Sequence, residues 1–428
     1  MRTHMNNSLY CALASNSISF GSNGHSRPCC AINTHKWNYT HKLTYKAGNL
    51  ESWFNNPSMV DVRNKLNQGE WHPSCSMCKI REQAGQPSTR EIFNHTLSEI
   101  EEKTKRSWKT TDSVIENFDN IFLLDITVGN KCNSSCLMCN PSASDMWMKE
   151  QEEILGEKLS WTSNNWFNQE NASALIEKLP NLKAIQFVGG EPTVNKDHIV
   201  MLEKLVESGR SKDITLGYVV NLTAISPSLI ELWDKFSTKH ITVSIDGLGP
   251  VNEYIRYPFS WDKVIRGFDR IKAQAALKKD YHIGLSHTVI PLNILFLDNM
   301  LDWWEEQSAN HDRILDSIPH VQCVDNPTYF DPQYMPQDMK SECAKTLSRL
   351  AKKMQDRGIA GKYDSVIENI TVNILQKSPP EDERLREWKS MQEFCAKLDV
   401  HRNRKIFDYL PNMKKYWIDP DQDQIRII

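Results

Sequence analysis

Three cysteines within one short stretch of the chain have a spacing suited to binding a metal cluster. Cys132, Cys136 and Cys139 form the pattern C-x3-C-x2-C directly after an apolar run at 121–128. Three thiolates are one ligand short of a closed tetrahedral site. A 4Fe–4S cluster held by three thiolates keeps one iron without a protein ligand, so chemistry can take place at that iron. We therefore predict a reactive cluster.

Two further motifs lie close to the predicted ends of later strands. The run GGEP at 189–192 follows an apolar segment at 183–188. Ser244 and Asp246 end another segment, at 240–246. All three motifs thus follow strand-like runs of the chain, which is where catalytic groups of α/β proteins concentrate.

Strand-like and helical patterns alternate from about residue 118 onward, which predicts parallel βαβ units. We predict strands at 121–128, 183–188, 214–221, 240–246, 283–290 and 320–324. We predict helices at 144–155, 196–207, 227–236, 261–275 and 297–306. Six units are too few for a closed eight-stranded barrel, so the expected fold class is α/β, with an open, partial (β/α)6 barrel of the TIM type.

The parts of the chain outside this core have a different pattern. Residues 1–105 are rich in Asn, Ser and His with separated cysteines, and we predict a distinct N-terminal domain there. A charged helical stretch at 99–109 is expected to connect it to the core at 118–330. Residues 331–428 are predicted to form a helical C-terminal extension, with helices at 337–355, 365–375 and 383–398.

Composition narrows the possible classes of protein. The 428 residues include 51 basic and 54 acidic side chains, for a net charge of −3. A dedicated nucleic-acid binder usually carries a basic excess, so we expect no nucleic-acid partner. No apolar run approaches the ~20 residues that span a bilayer. Clustered cysteines in a large chain are typical of metal sites in a reducing compartment, so we expect a cytoplasmic protein without a membrane partner.

The three motifs together resemble those of the radical S-adenosylmethionine (SAM) enzymes, over residues 118 to 325. The resemblance implies that Cys132, Cys136 and Cys139 hold a 4Fe–4S cluster whose open iron chelates the methionine part of SAM. It implies reductive cleavage of SAM to a 5′-deoxyadenosyl radical, which abstracts a substrate hydrogen. The residues that it implies for SAM binding are Gly189, Gly190, Glu191, Pro192, Met138, Asn221, Ser244, Asp246 and Arg256.

Elementary chemistry fits several of these implied roles. Glycines let the backbone approach a ligand closely, and Glu191 can accept hydrogen bonds from the ammonium group of SAM. Arg256 resembles an arginine that pairs with the SAM carboxylate, and Asn221 and Thr223 occupy the place of a strand-end motif that lines the site. Met138 departs from the family, which usually has an aromatic residue there. The backbone of Met138 can keep the role that this position has in the family, but its side chain has no aromatic ring to stack.

A second set of cysteines lies nearer the N-terminus. Cys11 and Cys29, with the pair Cys75 and Cys78, resemble the auxiliary-cluster modules called twitch or SPASM domains. A full SPASM module carries further cysteines soon afterwards, and none occurs at 79–131, so the shorter twitch type fits better. The resemblance implies a second 4Fe–4S cluster closed by these four thiolates. Cys30 is an alternative ligand to Cys29.

Several alternatives stay open from the sequence. Either thiol set could instead hold structural zinc. The alternative from a different functional class is a non-catalytic adaptor protein that binds zinc. For the enzyme, the leading expectation is an oxidoreductase that modifies a peptide or protein side chain, with dehydrogenation of a small-molecule alcohol as the alternative. The expected redox partner is an electron donor such as flavodoxin or ferredoxin. No catalytic residue beyond the cluster is assigned.

Overall fold

The computed structural model describes residues 9–33, 36–37, 44–83, 85–156, 166–308, 315 and 318–418. The outer ends of the predicted N- and C-terminal domains lie outside these residues, and the predicted limits at 105, 118 and 330 remain predictions. The chain divides into two compact units. The first comprises Met1–Cys132, Thr162–Val219 and Ser226–Lys239, and the second comprises Asn133–Trp161, Val220–Ile225 and His240–Ile428.

The strands of the described residues are mostly parallel. They are β1 Ser17–Phe20, β2 Ser26–Arg27, β3 Leu123–Thr127, β4 Ala184–Val188, β5 Thr215–Val220, β6 Thr238–Ser244, β7 Tyr281–Val289 and β8 His320–Cys323. The order is β2-β1-β3-β4-β5 in the first unit and β6-β7-β8 in the second. In the first unit β1 pairs antiparallel with β2, whereas the pairs β1-β3, β3-β4 and β4-β5 are parallel. In the second unit β7 and β8 are parallel.

Helices separate the strands along the chain. In the described residues they are α1 Ala12–Asn16, α2 Leu50–Phe54, α3 Pro57–Asn67, α4 Ser76–Gln83, α5 Thr89–Thr104, α6 Asp145–Leu155, α7 Gln169–Lys178, α8 Lys196–Glu207, α9 Pro227–Trp233, α10 Pro250–Ile255, α11 Trp261–Leu277, α12 Leu297–Ser308, α13 Gln337–Asp356, α14 Asp364–Ile370, α15 Glu381–Arg402 and α16 Ile406–Tyr409. Among these residues, no helix combines the length and apolar character needed to cross a membrane. The predicted α/β fold class, with mainly parallel strands as in a partial barrel and a helical C-terminal segment, is confirmed.

Local sequence signals account for where several helices begin and end. Helix α8 begins after Asn195, whose side chain accepts a hydrogen bond from the Asp197 backbone, and ends before Gly209 in the left-handed conformation. Such polar caps and glycine stops are typical helix boundaries. Helix α5 begins earlier than the predicted 99–109 stretch because Ser88 and Glu91 form a capping box, and it ends at Thr104.

The N-terminal segment contributes two strands that the sequence analysis did not predict. Strand β1 is four residues long and β2 only two, which is too short for an alternating pattern to stand out. Tertiary packing stabilises them instead. The Phe20 ring stacks against Trp53 and Trp166, with ring centroids 4.4 Å away in each case. Aromatic clusters of this kind bury a large apolar area.

The helical C-terminal segment packs into the core of the second unit. Met339 and Cys343 of α13 and Trp388 and Cys395 of α15 are essentially fully buried there. The same core includes Leu137, which lies inside the cysteine loop. The C-terminal helices therefore belong to the packing that surrounds this loop.

Candidate active site

The loop that follows β3 and the turn that follows β4 are joined through their backbones in the first unit. Gly190 N donates to Gly129 O, and Glu191 N donates to Lys131 O, each at 2.9 Å. A Cβ atom on Gly190 would lie 2.2 Å from Lys131 O, closer than any side chain can approach. Gly189 has a φ of +125°, which L side chains rarely adopt. Both glycines are therefore required for the turn to lie against the residues that lead into Cys132.

Glu191 is buried at the start of a short 3-10 turn, Pro192–Val194. Its Oε1 accepts hydrogen bonds from the Thr193 backbone at 3.1 Å and from Thr193 Oγ1 at 2.5 Å. The carboxylate is thus fixed by the turn that it caps. A buried and oriented carboxylate suits an ammonium ligand, because charge-assisted hydrogen bonds are the strong ones.

The second unit holds the continuation of the cysteine loop. Cys136 is buried, and Cys139 N donates to Cys136 O at 2.9 Å. A hydrogen bond from Cys139 lowers the pKa of the Cys136 thiol to about 6, because it outweighs the opposing effect of burial, and Arg256 lowers it further. The Arg256 Nη1 atom lies 3.8 Å from Cys136 Sγ. Since the thiolate is the form that binds iron, the lowered pKa suits Cys136 to ligation of an iron–sulfur cluster.

Asp246 and Arg256 form a buried ion pair beside this thiol. Arg256 Nε lies 2.6 Å from Asp246 Oδ2, and Thr288 N donates to Asp246 Oδ1 at 2.8 Å. Burial alone would lower the pKa of Arg256, but Asp246 and the neighbouring thiols raise it above its ordinary value. Ser244 is half-buried at the end of β6. The structure therefore pairs Arg256 with Asp246, and only part of its guanidinium remains for a SAM carboxylate.

Asn133, which the sequence analysis did not single out, connects the cysteine loop to the segment after β5. Asn221 Nδ2 donates to Asn133 Oδ1 at 2.7 Å, and Asn133 Nδ2 donates to Thr223 Oγ1 at 3.0 Å. Asn221 Oδ1 in turn accepts from Thr223 N and Oγ1. The predicted residues Asn221 and Thr223 thus hold this loop in place. Met138 is partly buried against the core of the second unit.

The four predicted auxiliary ligands all lie in the first unit, where their thiols interact electrostatically. Cys11 precedes α1, Cys29 follows β2, Cys75 ends a 3-10 turn and Cys78 lies in α4. Burial, and then the neighbouring thiols, raise the pKa of Cys75 to about 12 and that of Cys29 above its ordinary value. Cys30 is exposed, and its thiol interacts with Asp125 and Arg27.

A metal bound to these thiols would have to displace their protons, because the thiolate is the ligating form. Among the described residues, no group of three or more His, Cys, Asp or Glu side chains is gathered tightly enough around one point to hold a single metal ion. Both cysteine sets lie within those residues.

One face of the sheet in the first unit carries a polar cluster. Register places Ser19 opposite Asp125, and Asp125 opposite Gln186. Arg27 donates from Nε to Ser19 Oγ at 2.8 Å, and from Nη2 to Asp125 Oδ2 and Thr127 Oγ1 at 3.2 Å each. Asp125 Oδ1 is buried, and it has no hydrogen-bond partner within the described part of the chain.

One feature of the sequence, an acidic residue within the apolar strand β3, indicates this polar cluster. Strands of buried parallel sheets are usually continuous apolar runs, and Asp125 interrupts the run of β3. Its neighbours Leu124 and Ile126 are completely buried on the other face. An acidic residue at the centre of such a strand indicates a polar interior face, whereas its partner Arg27 could be found only from the pairing of β1 with β2.

Comparison with known proteins places these features in a family. Residues 126–287 match the model of the Radical SAM superfamily. This segment is a radical SAM domain. It contains the cysteine loop, the GGEP turn and the Asp246–Arg256 pair described above. The family implies SAM and one 4Fe–4S cluster as its cofactors.

Two curated relatives share part of this chain. It is 27% identical over 194 residues to an uncharacterized protein, MJ0907, of Methanocaldococcus jannaschii, covering 43% of this chain and 59% of that protein. It is 28% identical over 151 residues to the radical SAM cyclopropyl synthase TigE of Paramaledivibacter caminithermalis, covering 33% of this chain and 30% of that one. The chain thus spans less than two thirds of each relative.

Among solved structures, the chain is similar to native anSMEcpe with bound AdoMet. The TM-score is 0.41, and the aligned residues are 17% identical. The alignment covers 60% of this chain and 68% of that chain.

Proposed function

We propose that the protein is a radical SAM enzyme that cleaves SAM reductively and removes a hydrogen atom from its substrate, with a peptide or protein side chain as the leading substrate. The observation that carries the proposal is the GGEP turn, which is hydrogen-bonded to the residues that follow β3 and lead into Cys132, inside the matched domain. When bound, the cluster and SAM together supply a carbon radical able to abstract hydrogen.

The chain's own residues bind and orient the cofactors in this proposal. Cys132, Cys136 and Cys139 hold the cluster, and the hydrogen bond from Cys139, followed by the charge of Arg256, favours the thiolate form of Cys136 by lowering its pKa. Glu191 receives the SAM ammonium group, and the free part of the Arg256 guanidinium receives its carboxylate. The remaining proposed SAM contacts are Gly189, Gly190, Pro192, Met138, Asn221, Ser244 and Asp246.

We also propose an auxiliary 4Fe–4S cluster held by Cys11, Cys29, Cys75 and Cys78 in a twitch-like N-terminal region. The shared electrostatic environment of these thiols supports it. Four thiolates close a cluster, so electron transfer is its natural role. Loss of a hydrogen atom leaves one unpaired electron on the substrate, and passing that electron to the auxiliary cluster with release of a proton completes a two-electron oxidation.

The polar cluster of the first unit supports a peptide as the substrate. Within the residues that the structure describes, Arg27 donates through Nε and Nη2 and not through Nη1, and Asp125 Oδ1 is a buried acceptor without a partner. An amide could bond to both groups, because its carbonyl accepts and its N–H donates. A buried polar atom left unpaired costs about 1–3 kcal/mol, which a substrate amide would recover.

Anaerobic incubation of the iron-reconstituted protein with SAM and dithionite tests the proposal. We expect 5′-deoxyadenosine and methionine in equal amounts, measured by liquid chromatography and mass spectrometry. Cys139→Ala should abolish both products, whereas Cys323→Ala, which changes a cysteine outside both sets, should keep them. A zinc-loaded, colourless wild-type protein, or an iron-loaded one that leaves SAM intact, contradicts the proposal.

A further inference from the structure

Arg402, the last residue of α15, is a nearly buried charge far in sequence from any motif. Its side chain is only 4% exposed. It forms a bidentate ion pair with Glu150 of α6, with Nε–Oε1 at 3.1 Å and Nη2–Oε2 at 2.7 Å. Bidentate arginine–carboxylate pairs fix geometry as well as charge. The pair therefore fixes the end of α15 against α6, the helix that directly follows the cysteine loop.

The same guanidinium also reaches the cysteine loop itself. Arg402 Nη2 donates to the backbone oxygen of Ser135 at 2.8 Å and lies 3.2 Å from its Oγ. Ser135 immediately precedes Cys136 and is completely buried. On its other side, Ser135 N donates to Tyr257 O at 2.9 Å. Both polar groups of the peptide at Ser135 are therefore fixed, one of them by Arg402.

Two aromatic rings complete the surroundings of the guanidinium. Its central carbon lies 4.4 Å from the Tyr257 ring centroid and 5.2 Å from that of Trp147. Trp147 Nε1 donates to the backbone oxygen of Cys136 at 2.7 Å. Arg402 thus contacts the side chain that holds Cys136, in addition to the backbone of the preceding residue. Cation–π contacts strengthen when the cation is desolvated, as it is here.

We propose that Arg402 is a positioning residue for the SAM-binding cluster, and that the C-terminal helical segment takes part in cluster binding through it. The inference rests on the proposed function, since it assigns the cluster to this loop. The planar fork of arginine can pair with Glu150, donate to Ser135 and lie between two rings at once. A lysine ammonium, with its compact charge, cannot reproduce that arrangement.

Arg404 provides a matched control at the same end of the helix. It donates from Nη1 to Glu253 O at 2.7 Å, and its guanidinium carbon lies 4.6 Å from the Tyr257 ring and 5.1 Å from the Tyr409 ring. It contacts the same Tyr257 ring as Arg402, but within the described residues its hydrogen bond and ring contacts do not involve the cysteine loop. If Arg402 served only to dock the helix, replacing either arginine should have similar effects.

The test compares Arg402→Lys, Arg402→Met and Arg404→Met with the wild type after anaerobic reconstitution. The measurements are iron per chain, the electron paramagnetic resonance (EPR) spectrum of the reduced protein before and after adding SAM, and the rate of 5′-deoxyadenosine formation. We expect Arg402→Met to fall from about eight to about four irons per chain. Arg402→Lys should keep its iron but alter the SAM-induced EPR change and slow the reaction by about 10- to 100-fold.

The outcomes separate this inference from the proposed function. Arg404→Met should resemble the wild type in all three measurements. A wild-type EPR response and rate in Arg402→Lys, or an equal defect in Arg404→Met, overturns the positioning role while the proposed function stands. If a triple variant without Cys132, Cys136 and Cys139 keeps the iron content of the wild type, the proposed function is overturned instead.

Discussion

Removing either partner of the buried ion pair between Asp246 and Arg256 should cost about as much stability as removing both. Asp246 has a completely buried side chain, and its Oδ2 atom lies 2.6 Å from Arg256 Nε. Removing one partner of such a pair leaves an uncompensated charge, at a cost of about 3–5 kcal/mol. We therefore expect Asp246→Asn and Arg256→Gln each to lower the free energy of unfolding by about that amount.

The double variant isolates the interaction between the two charges. Additive effects would amount to about 6–10 kcal/mol, twice the single cost. Because the second substitution removes the charge that the first left unpaired, we expect the double variant to lose only about 3–5 kcal/mol. The coupling energy should thus be about 3 kcal/mol or more, which is at the upper end for neighbouring residues.

Urea denaturation under anaerobic conditions, followed by tryptophan fluorescence, measures the four free energies of unfolding. The pair Arg357 and Asp302 is a suitable control, since its atoms are equally close, at 2.6 Å, but its side chains are 33% and 23% exposed. The coupling energy of that partly exposed pair should be only about 0–1 kcal/mol. Additivity within about 0.5 kcal/mol at Asp246 and Arg256 would show that the buried pair is not coupled.

Three further outcomes can be measured directly. Cys29→Ala should remove about four irons per chain whereas Cys30→Ala, at an exposed thiol, should remove none; equal losses would contradict the choice of Cys29. Gly190→Ala should displace Lys131 and lower the iron content of the cysteine loop, because the new Cβ would lie 2.2 Å from a backbone oxygen; unchanged iron would mean that the loop tolerates the shift. Burial lowers the pKa of His198 to about 4, so only the unfolded chain takes up this proton as the pH falls below about 6.5. Wild-type stability should then fall about 1.4 kcal/mol per pH unit more steeply than that of His198→Gln in urea denaturation, and parallel slopes would contradict the shift.

Much of the fold could be predicted because it is encoded in short-range patterns. Strands such as β3 and β4 are mostly apolar runs of the right length. The helix at Lys196–Glu207 has a polar cap at one end and a glycine beyond the other. Capping and hydrophobic periodicity act within a few residues, so a single sequence reveals them. The two N-terminal strands were missed because contacts with distant rings stabilise them.

The sequence by itself determined which chemistry is possible, because cluster ligands must be thiolates at close spacing and a turn that packs against them must be glycine. Cys132, Cys136, Cys139 and Gly190 are local features of this kind. Only the tertiary structure decided that Arg256 pairs with Asp246, that Asp125 faces Arg27, and that Arg402 reaches Ser135. These contacts join residues 10, 98 and 267 positions apart. Such partners are selected by strand register and helix packing, which no local pattern specifies.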